Sequence, residues 1–308
     1  MTKEFRQIEW DQTVEDDCRQ IIRLAVREDL DRLFDWTTLC LVPSGVRGSA
    51  AVVSRKSGVV AGLRAAELAL SEMDGEVNWS AAAADGEAVS AGQTLATVDG
   101  PARSLLSAER ILLNLIGRLS GIATLTRSYV DAVSGTRARI YDTRKTTPGW
   151  RRLEKYAVRC GGGHNHRTGL FDAILIKDNH LAFAAAGVGA PRMTPAEAVR
   201  RARETADSMI ADQPATPLIV EVEVDTLAQL GEVLGAGPDL VLLDNMPPEL
   251  LSRAVALRNA LAPGIELEAS GGVELASVAA IAASGVERIS VGALTHSAPG
   301  LDVGLDWR

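Results

Sequence analysis

Residues 218–245, LIVEVEVDTLAQLGEVLGAGPDLVLLDN, decide the fold class. Leu218–Val224 and Leu240–Leu243 are short runs of Val, Ile and Leu, the composition of strands. Between them, Leu227–Leu234 spaces its apolar residues as an amphipathic helix does. Strand, helix and strand in so short a stretch form a parallel unit, because only a parallel pair needs a crossover of this length.

The rhythm extends in both directions. From Arg137 onward, further strands are expected at Ala138–Tyr141, Ala173–Lys177, Ile265–Ala269 and Arg288–Val291. Helical stretches fall between them at Arg151–Val158, Pro195–Ala211, Pro247–Leu261 and Glu274–Ala283. About six such units in roughly 170 residues fit an α/β barrel of the (β/α)8 type, complete or incomplete.

A barrel places its site at the C-terminal ends of its strands. Polar residues stand at those ends here. Asp142, Arg144 and Lys145 follow the first strand, and Lys177 and Asp178 close the second. Glu221 and Glu223 lie in the third, and Asp244 and Asn245 end the fourth. Ser270-Gly271-Gly272 ends the fifth, and Gly292 and Ala293 follow the sixth. Charges in or capping aliphatic strands are costly to bury unpaired, so a succession of six argues for function.

The first third mixes elements. Val14–Arg27 reads as a helix, and Ala50–Val53 and Gly58–Gly62 as short strands. Asp85–Leu95 alternates apolar residues with glycine turns, in the manner of a biotinyl or lipoyl hammerhead. No lysine lies at its turn, which excludes a swinging-arm carrier. Ala102–Val133 reads as helix with a break at Gly117–Gly121.

Composition narrows the function. The 308 residues are 46% hydrophobic and 23% charged, which is globular. Cys18, Cys40 and Cys160 are odd in number and make no CxxC pair, so a reducing compartment is expected. The N-terminus, MTKEFRQIEWDQ, has no apolar signal core, and no apolar run of membrane-spanning length occurs. A soluble cytoplasmic protein is expected. Net charge is −8 and the isoelectric point is about 5.2, which argues against nucleic-acid or membrane partners. Against that background, residues 142–180 carry eight Lys and Arg but four Asp and Glu, a local +4, and three of the four histidines. A basic island in an acidic chain points to a pocket for a small anion.

Within the island, Arg144 offers a planar fork for carboxylate or phosphate, and Lys145 a compact charge. The run Gly161-Gly162-Gly163-His164-Asn165-His166-Arg167 gives room for close backbone approach, followed by donors; His166 reads as a donor to a ligand oxygen. Lys177 follows four aliphatic residues and is either an anion clamp or a Schiff-base lysine. Glu223 and Asp244 could hold ribose hydroxyls, bind Mg2+ through water, or transfer protons, and Glu221 shares the parity of Glu223. Ser270-Gly271-Gly272 and Val291-Gly292-Ala293 present main-chain N–H groups where barrel phosphate sites form. Arg110 stands apart on a helix, the default setting of a surface arginine.

These stretches together resemble the quinolinate phosphoribosyltransferases over nearly the whole chain. The resemblance rests on AERILLNLIGRLSGIATLT (108–126), DTRKTTPG (142–149), LEKYAVRCGGGHNHR (153–167), LIKDNH (175–180), EVEVD (221–225), LLDNM (242–246), EASGG (268–272) and VGALTHS (291–297). It implies an N-terminal α/β sandwich over residues 1–119, with the tail 295–308 packed on it, and an open (β/α) barrel over 120–294. It implies a homodimer in which Arg110 crosses to the partner's site. Quinolinate would then meet Arg110, Arg144, Lys145, His166, Arg167 and Lys177. Phosphoribosyl pyrophosphate would meet Glu223, Asp244, Ser270, Gly271, Gly272, Val291, Gly292 and Ala293. Mg2+ would sit on the pyrophosphate, near Glu223 and Asp244 through water or substrate. Lys145, Lys177, Glu223 and Asp244 would be the catalytic set.

The residue types suit that chemistry. Two adjacent carboxylates on quinolinate call for several cations. An oxocarbenium-like transition state is favoured by nearby acids and by charge on the leaving group. One departure is local: the family's ExDLGxGDxT pattern has glycines where this chain has Asp31-Arg32-Leu33-Phe34 before Asp35. Three alternatives compete: a nicotinate transferase without decarboxylation, a Schiff-base lyase built on Lys177, and a catalytically silent anion-binding relative.

Overall fold

The computed structural model describes residues 4–184, 193–210 and 218–308; position 211, where the expected helix from Pro195 ends, lies outside them. In chain order the first elements are α1 (Gln12–Leu30), α2 (Trp36–Leu41), β1 (Arg47–Ser54), β2 (Gly58–Val59), α3 (Leu63–Met73), β3 (Asn78–Ala81), β4 (Ala88–Val89), β5 (Thr94–Pro101) and α4 (Ala102–Ala132). Then come β6 (Arg139–Tyr141), α5 (Arg151–Cys160), β7 (Ala173–Ile176), α6 (Asp178–Phe183), α7 (Pro195–Ile210), β8 (Ile219–Val224), α8 (Leu227–Leu234), β9 (Leu240–Asp244) and α9 (Pro248–Leu261). The last are β10 (Glu266–Ser270), α10 (Val278–Ala283), β11 (Arg288–Ser290), α11 (Ala293–His296) and β12 (Val303–Trp307). Among the described residues no helix is long and apolar enough to cross a membrane.

Local chemistry sets the boundaries. Asp11 caps α1, its carboxylate accepting the Val14 N–H at 3.0 Å. The helix stops at Asp31, whose φ of 49° ends the helical path. That residue stands in the loop where the family pattern has glycines, and Asp is among the residues that tolerate positive φ. Asp35 then caps α2 by accepting the Thr38 N–H. Thr226 and Gln229 form a reciprocal capping box on α8.

The residues gather into two compact units. One comprises residues 8–128, 145–163 and 293–308. Its antiparallel sheet has the order β12-β1-β5-β3, with β2 and β4 as a separate pair. Ala50, Val52, Leu95, Ala96 and Val98 from the sheet pack with Leu63, Ala66 and Leu70 of α3 and with Leu105, Leu112 and Ile116 of α4. The other unit comprises residues 1–7, 129–144 and 164–292. It contains six strands in the order β6-β11-β10-β9-β8-β7, all neighbours parallel. The two units interleave along the chain, and α4 runs unbroken from Ala102 to Ala132.

No break occurs at Gly117 or Gly121. A Cβ on Gly121 would lie 2.1 Å from the Pro299 carbonyl oxygen, and one on Gly117 3.1 Å from that of Leu301. The glycines open the helix surface to the C-terminal tail, and Leu301 N–H donates to the Gly117 carbonyl at 2.9 Å. The tail then enters the sheet as β12, beside β1.

In the six-stranded unit, alternation sorts the side chains. Val220, Val222, Val241, Leu243, Leu267 and Ile289 are buried on one face. Their neighbours in sequence turn inward, where Tyr141, Ala173, Ile219 and Leu240 from four strands meet Phe5. The edges β6 and β7 are not paired with each other. His164 extends the β6 edge instead: it bridges Tyr141, donates its N–H to the Ile140 carbonyl at 2.8 Å, and accepts from Asp142 N–H at 3.0 Å.

Candidate active site

Strand register brings the candidates together. Ile176 lies opposite Val222, which places Lys177, one residue on, across from Glu223. Their side chains form an ion pair between Lys177 Nζ and Glu223 Oε2. One strand further, Asp244 lies opposite Ser270. Asn245 Nδ2 donates to Asp244 Oδ2 at 2.7 Å, and Asn245 N–H to the Ser270 carbonyl at 2.8 Å.

The turns after these strands use positive φ, 52° at Asn245, 92° at Gly271 and 59° at Gly272. At Gly271 a Cβ would lie 2.2 Å from Asn245 Oδ1, so glycine is required by both conformation and space. Gly272 faces open space. Val291 N–H donates to the Tyr141 carbonyl at 2.9 Å, which ties the start of the Val291-Gly292 turn to β6.

The basic loop is anchored by a buried acid. Asp142, fully buried, accepts the His166 main-chain N–H at 2.9 Å and Asn165 Nδ2 at 2.7 Å. Gln7 clasps Asn165 by donating to its carbonyl and accepting its N–H. The sequence places Asp142 among the strand-end polar residues and Asn165 in the run after the glycines, but assigns neither this anchoring role and gives Gln7 none. The Arg167 guanidinium donates to the Ala173 carbonyl at 3.3 Å. Burial and the neighbouring Arg144 charge lower its pKa. Arg144 Nε is buried with no hydrogen-bond partner. Two close guanidiniums, one with an unspent donor, form a receptor for an anion.

His166 is buried, and both of its ring nitrogens face protein groups. Its Nδ1 accepts the Arg167 N–H at 2.8 Å. Its Nε2 lies 3.0 Å from Glu221 Oε2 and 3.4 Å from Glu268 Oε1. Phe5 stacks on the ring at 4.2 Å. Burial alone pushes the imidazole pKa down, but Glu268 and Glu221 outweigh it and hold it at about 10. Burial and Glu268 raise Glu221, whereas His166 overcomes burial to lower Glu268. Because Nδ1 accepts an N–H, the ring carries its proton on Nε2, the nitrogen that faces Glu221 and Glu268.

The remaining candidates belong to the unit with the antiparallel sheet. Lys145 is exposed, and its carbonyl accepts the Thr295 hydroxyl at 2.8 Å. Ala293 opens α11. Arg110 is exposed on α4, beside a recess lined by Asp29, Phe34, Asp35, Trp36 and Leu106. In the same unit, the glycine run proves to serve packing. A Cβ on Gly161 would lie 2.4 Å from the Ala123 carbonyl of α4, and one on Gly163 2.7 Å from Thr126.

Comparison with known proteins gives a consistent result. The family model described as quinolinate phosphoribosyl transferase, N-terminal domain, matches residues 35–120, and the corresponding C-terminal domain model matches residues 122–306. The chain is 47% identical over 293 residues to the nicotinate-nucleotide pyrophosphorylase [carboxylating] of Mycobacterium leprae, covering 94% of this chain and 97% of that one. It is 38% identical over 304 residues to quinolinate phosphoribosyltransferase [decarboxylating] 1 of Nicotiana glauca, covering 94% and 82%. The solved nicotinate-nucleotide pyrophosphorylase of Francisella tularensis superposes with a TM-score of 0.84 at 32% identity, covering all of both chains.

Proposed function

We infer the function from one premise: this chain belongs to the quinolinate phosphoribosyltransferase family. It is a pentosyltransferase that converts quinolinate and phosphoribosyl pyrophosphate to nicotinate mononucleotide, CO2 and pyrophosphate, a step of NAD biosynthesis. The observation that carries the reading is the Arg144–Arg167 pair with its unspent donor, set in the same unit as the Lys177–Glu223 and Asp244–Ser270 strand ends.

In this reading Arg144, Arg167 and Lys177 bind the two carboxylates of quinolinate and orient its ring nitrogen. The nitrogen lone pair forms the bond to C1 of the ribose as the bond from C1 to the pyrophosphate oxygen breaks. Glu223 and Asp244 place carboxylate charge near the developing oxocarbenium and accept the ribose hydroxyls. The turn from Ser270 to Gly272 and the Val291–Ala293 turn present N–H groups to phosphate. In the second stage the bond to the 2-carboxylate breaks, CO2 leaves, and the electron pair stays on the ring carbon, stabilised by the positive ring nitrogen until a proton arrives. No covalent enzyme nucleophile is needed. A Lys177 committed to a carboxylate is a clamp, not the free amine that a Schiff-base lyase requires.

Glu223 and Asp244 suit Mg2+, since each keeps a second, hard carboxylate oxygen beyond the one given to Lys177 or Asn245. They would hold the ion through water or the pyrophosphate, and the ion would supply neutralisation of the leaving-group charge.

The enzyme works as a homodimer in this reading. Phe34, Trp36 and Leu41 are each more than half exposed, and Phe34 and Trp36 share the recess with the exposed Arg110. Apolar surface around a cation suits a second copy, to which Arg110 would be contributed.

The test is an assay that measures pyrophosphate and CO2 together, with quinolinate or nicotinate, phosphoribosyl pyrophosphate and Mg2+. Equal yields from quinolinate and none from nicotinate are expected. Pyrophosphate from nicotinate without CO2 would replace this reading with the sister activity. Binding without turnover would leave the silent relative.

A further inference from the structure

We propose that Glu221 and Glu268 are positioning residues for Arg167: through the His166 ring they fix the main chain from which one arm of the anion clamp projects. The proposal rests on the assignment of that clamp to quinolinate.

Both carboxylates are fully buried, on β8 and β10, and the reaction as derived uses neither. The His166 ring spans them, with Nε2 at 3.0 Å from Glu221 and 3.4 Å from Glu268. On its opposite side, Nδ1 receives the main-chain N–H of Arg167 at 2.8 Å. The Ser290 hydroxyl donates to Glu268, and Phe5 covers one face of the ring. The contacts form a continuous line from buried acids, through a ring held on three sides, to the backbone of Arg167.

Arg167 needs such anchoring. It is 7% exposed, so its charge is desolvated, and the Arg144 charge beside it is repulsive. A loop carrying such a residue gains by swinging outward unless it is tied. Beside the bond from its own guanidinium to the Ala173 carbonyl, the loop is tied by Asp142 at the His166 N–H and by the ring of His166. A carboxylate pair below the ring also returns negative charge close to the clamp, which a neutral anchor would not do.

A cation is the competing occupant, since Glu221 Oε1 and Glu268 Oε2 are buried without hydrogen-bond partners and His166, Glu221 and Glu268 present ligand atoms within 4.8 Å. The ring orientation argues against it. A histidine that ligates through Nε2 carries its proton on Nδ1 and donates it. Here Nδ1 accepts, so Nε2 keeps the proton and has no lone pair to give.

The experiment compares Glu268→Leu, Glu268→Gln and Ser290→Ala with the unaltered protein. Quinolinate and phosphoribosyl pyrophosphate are titrated separately by calorimetry into full-length protein of verified fold. Glu268→Leu should weaken quinolinate binding by ~10- to 100-fold, the range for losing a charged hydrogen-bond anchor. Binding of phosphoribosyl pyrophosphate should stay within about 2-fold, because the Glu268 carboxylate meets His166 and Ser290, not the turn that follows Ser270. Glu268→Gln keeps an oxygen for Nε2–H and should recover to within ~3-fold. If Glu268→Leu does not fold, Ser290→Ala, which loosens Glu268 without removing it, should still weaken quinolinate selectively. Equal loss of both ligands, no rescue by glutamine, or one equivalent of tightly bound transition metal in the unaltered protein would overturn the proposal. Absence of quinolinate binding by the unaltered protein would sink the functional reading as well; normal binding with indifferent variants would sink this proposal alone.

Discussion

Gly271→Ala is the substitution whose effect the structure defines most sharply. Gly271 has φ of 92°, and a Cβ there would lie 2.2 Å from Asn245 Oδ1 and 2.5 Å from its Cγ. Alanine at positive φ costs ~1–2 kcal/mol. The Asn245 side chain must also move, which breaks its 2.7 Å bond to Asp244, worth about 1 kcal/mol. The neighbouring Gly272 has φ of 59° and open space around it, so Gly272→Ala carries only the backbone cost. A total of ~2–3 kcal/mol at Gly271 corresponds to ~30- to 150-fold if it falls on the phosphate-binding turn. Steady-state kinetics with each substrate varied should show a loss of at least ~30-fold in kcat/KM for phosphoribosyl pyrophosphate, with the quinolinate KM within about 3-fold. Gly272→Ala should lose ~5- to 30-fold, in line with its ~1–2 kcal/mol backbone cost alone. Equal losses for the two alanines, or a Gly271→Ala enzyme indistinguishable from the unaltered one, would refute the reasoning.

Other expectations can be checked directly. Arg144→Ala and Arg167→Ala should each raise the quinolinate KM by ~10- to 100-fold while the phosphoribosyl pyrophosphate KM changes little; parallel losses on both substrates would contradict the division of the site. Mixing Arg110→Ala with Lys177→Ala protein should restore part of the activity through hybrid dimers, each carrying one intact site; no recovery after demonstrated subunit exchange would remove Arg110 from the partner's site. Burial, aided by Glu15, pushes the Cys18 thiol to about 12, and burial with Asp85 pushes Cys160 to about 12. Iodoacetamide at pH 8 should therefore modify exposed Cys40 and spare the other two until the protein unfolds. Because both folded values lie above the ordinary 9.0, these thiols leave stability unchanged below pH 9 and reduce it as pH rises from 9 toward 12. Equal labelling rates at Cys40 and Cys160 would show the burial to be wrong.

The sheet residues were legible because their information is local. Lys177 and Glu223 could be placed at the ends of successive strands by counting, and the pairing of their side chains followed once Ile176 faced Val222. Strand spans agreed closely: Ala173–Lys177 became Ala173–Ile176, and Leu218–Val224 became Ile219–Val224. The short helix α6, directly after Lys177, was missed; its six residues carry too little periodicity to register. α3 was missed as well, since half of its buried positions are alanine.

Glycine and histidine readings fared otherwise. Gly117 and Gly121 suggested a helix break, and Gly161–Gly163 suggested room for a ligand. In both places the glycine admits another stretch of backbone, from Pro299–Leu301 in one case and from Ala123 in the other. His166 suggested a hand offered to substrate, yet its two nitrogens face Arg167 and a pair of buried acids.

By itself, then, the sequence determined the strand and helix periods, which inward-facing positions carry charge, and the kind of anion those charges suit, because alternation and composition are written in consecutive residues. Only the tertiary structure decided what each glycine makes room for, which acids hold His166, and which donor of Arg144 is left for a ligand. Those depend on groups tens to hundreds of residues apart, and a lone residue carries no record of what will be packed against it.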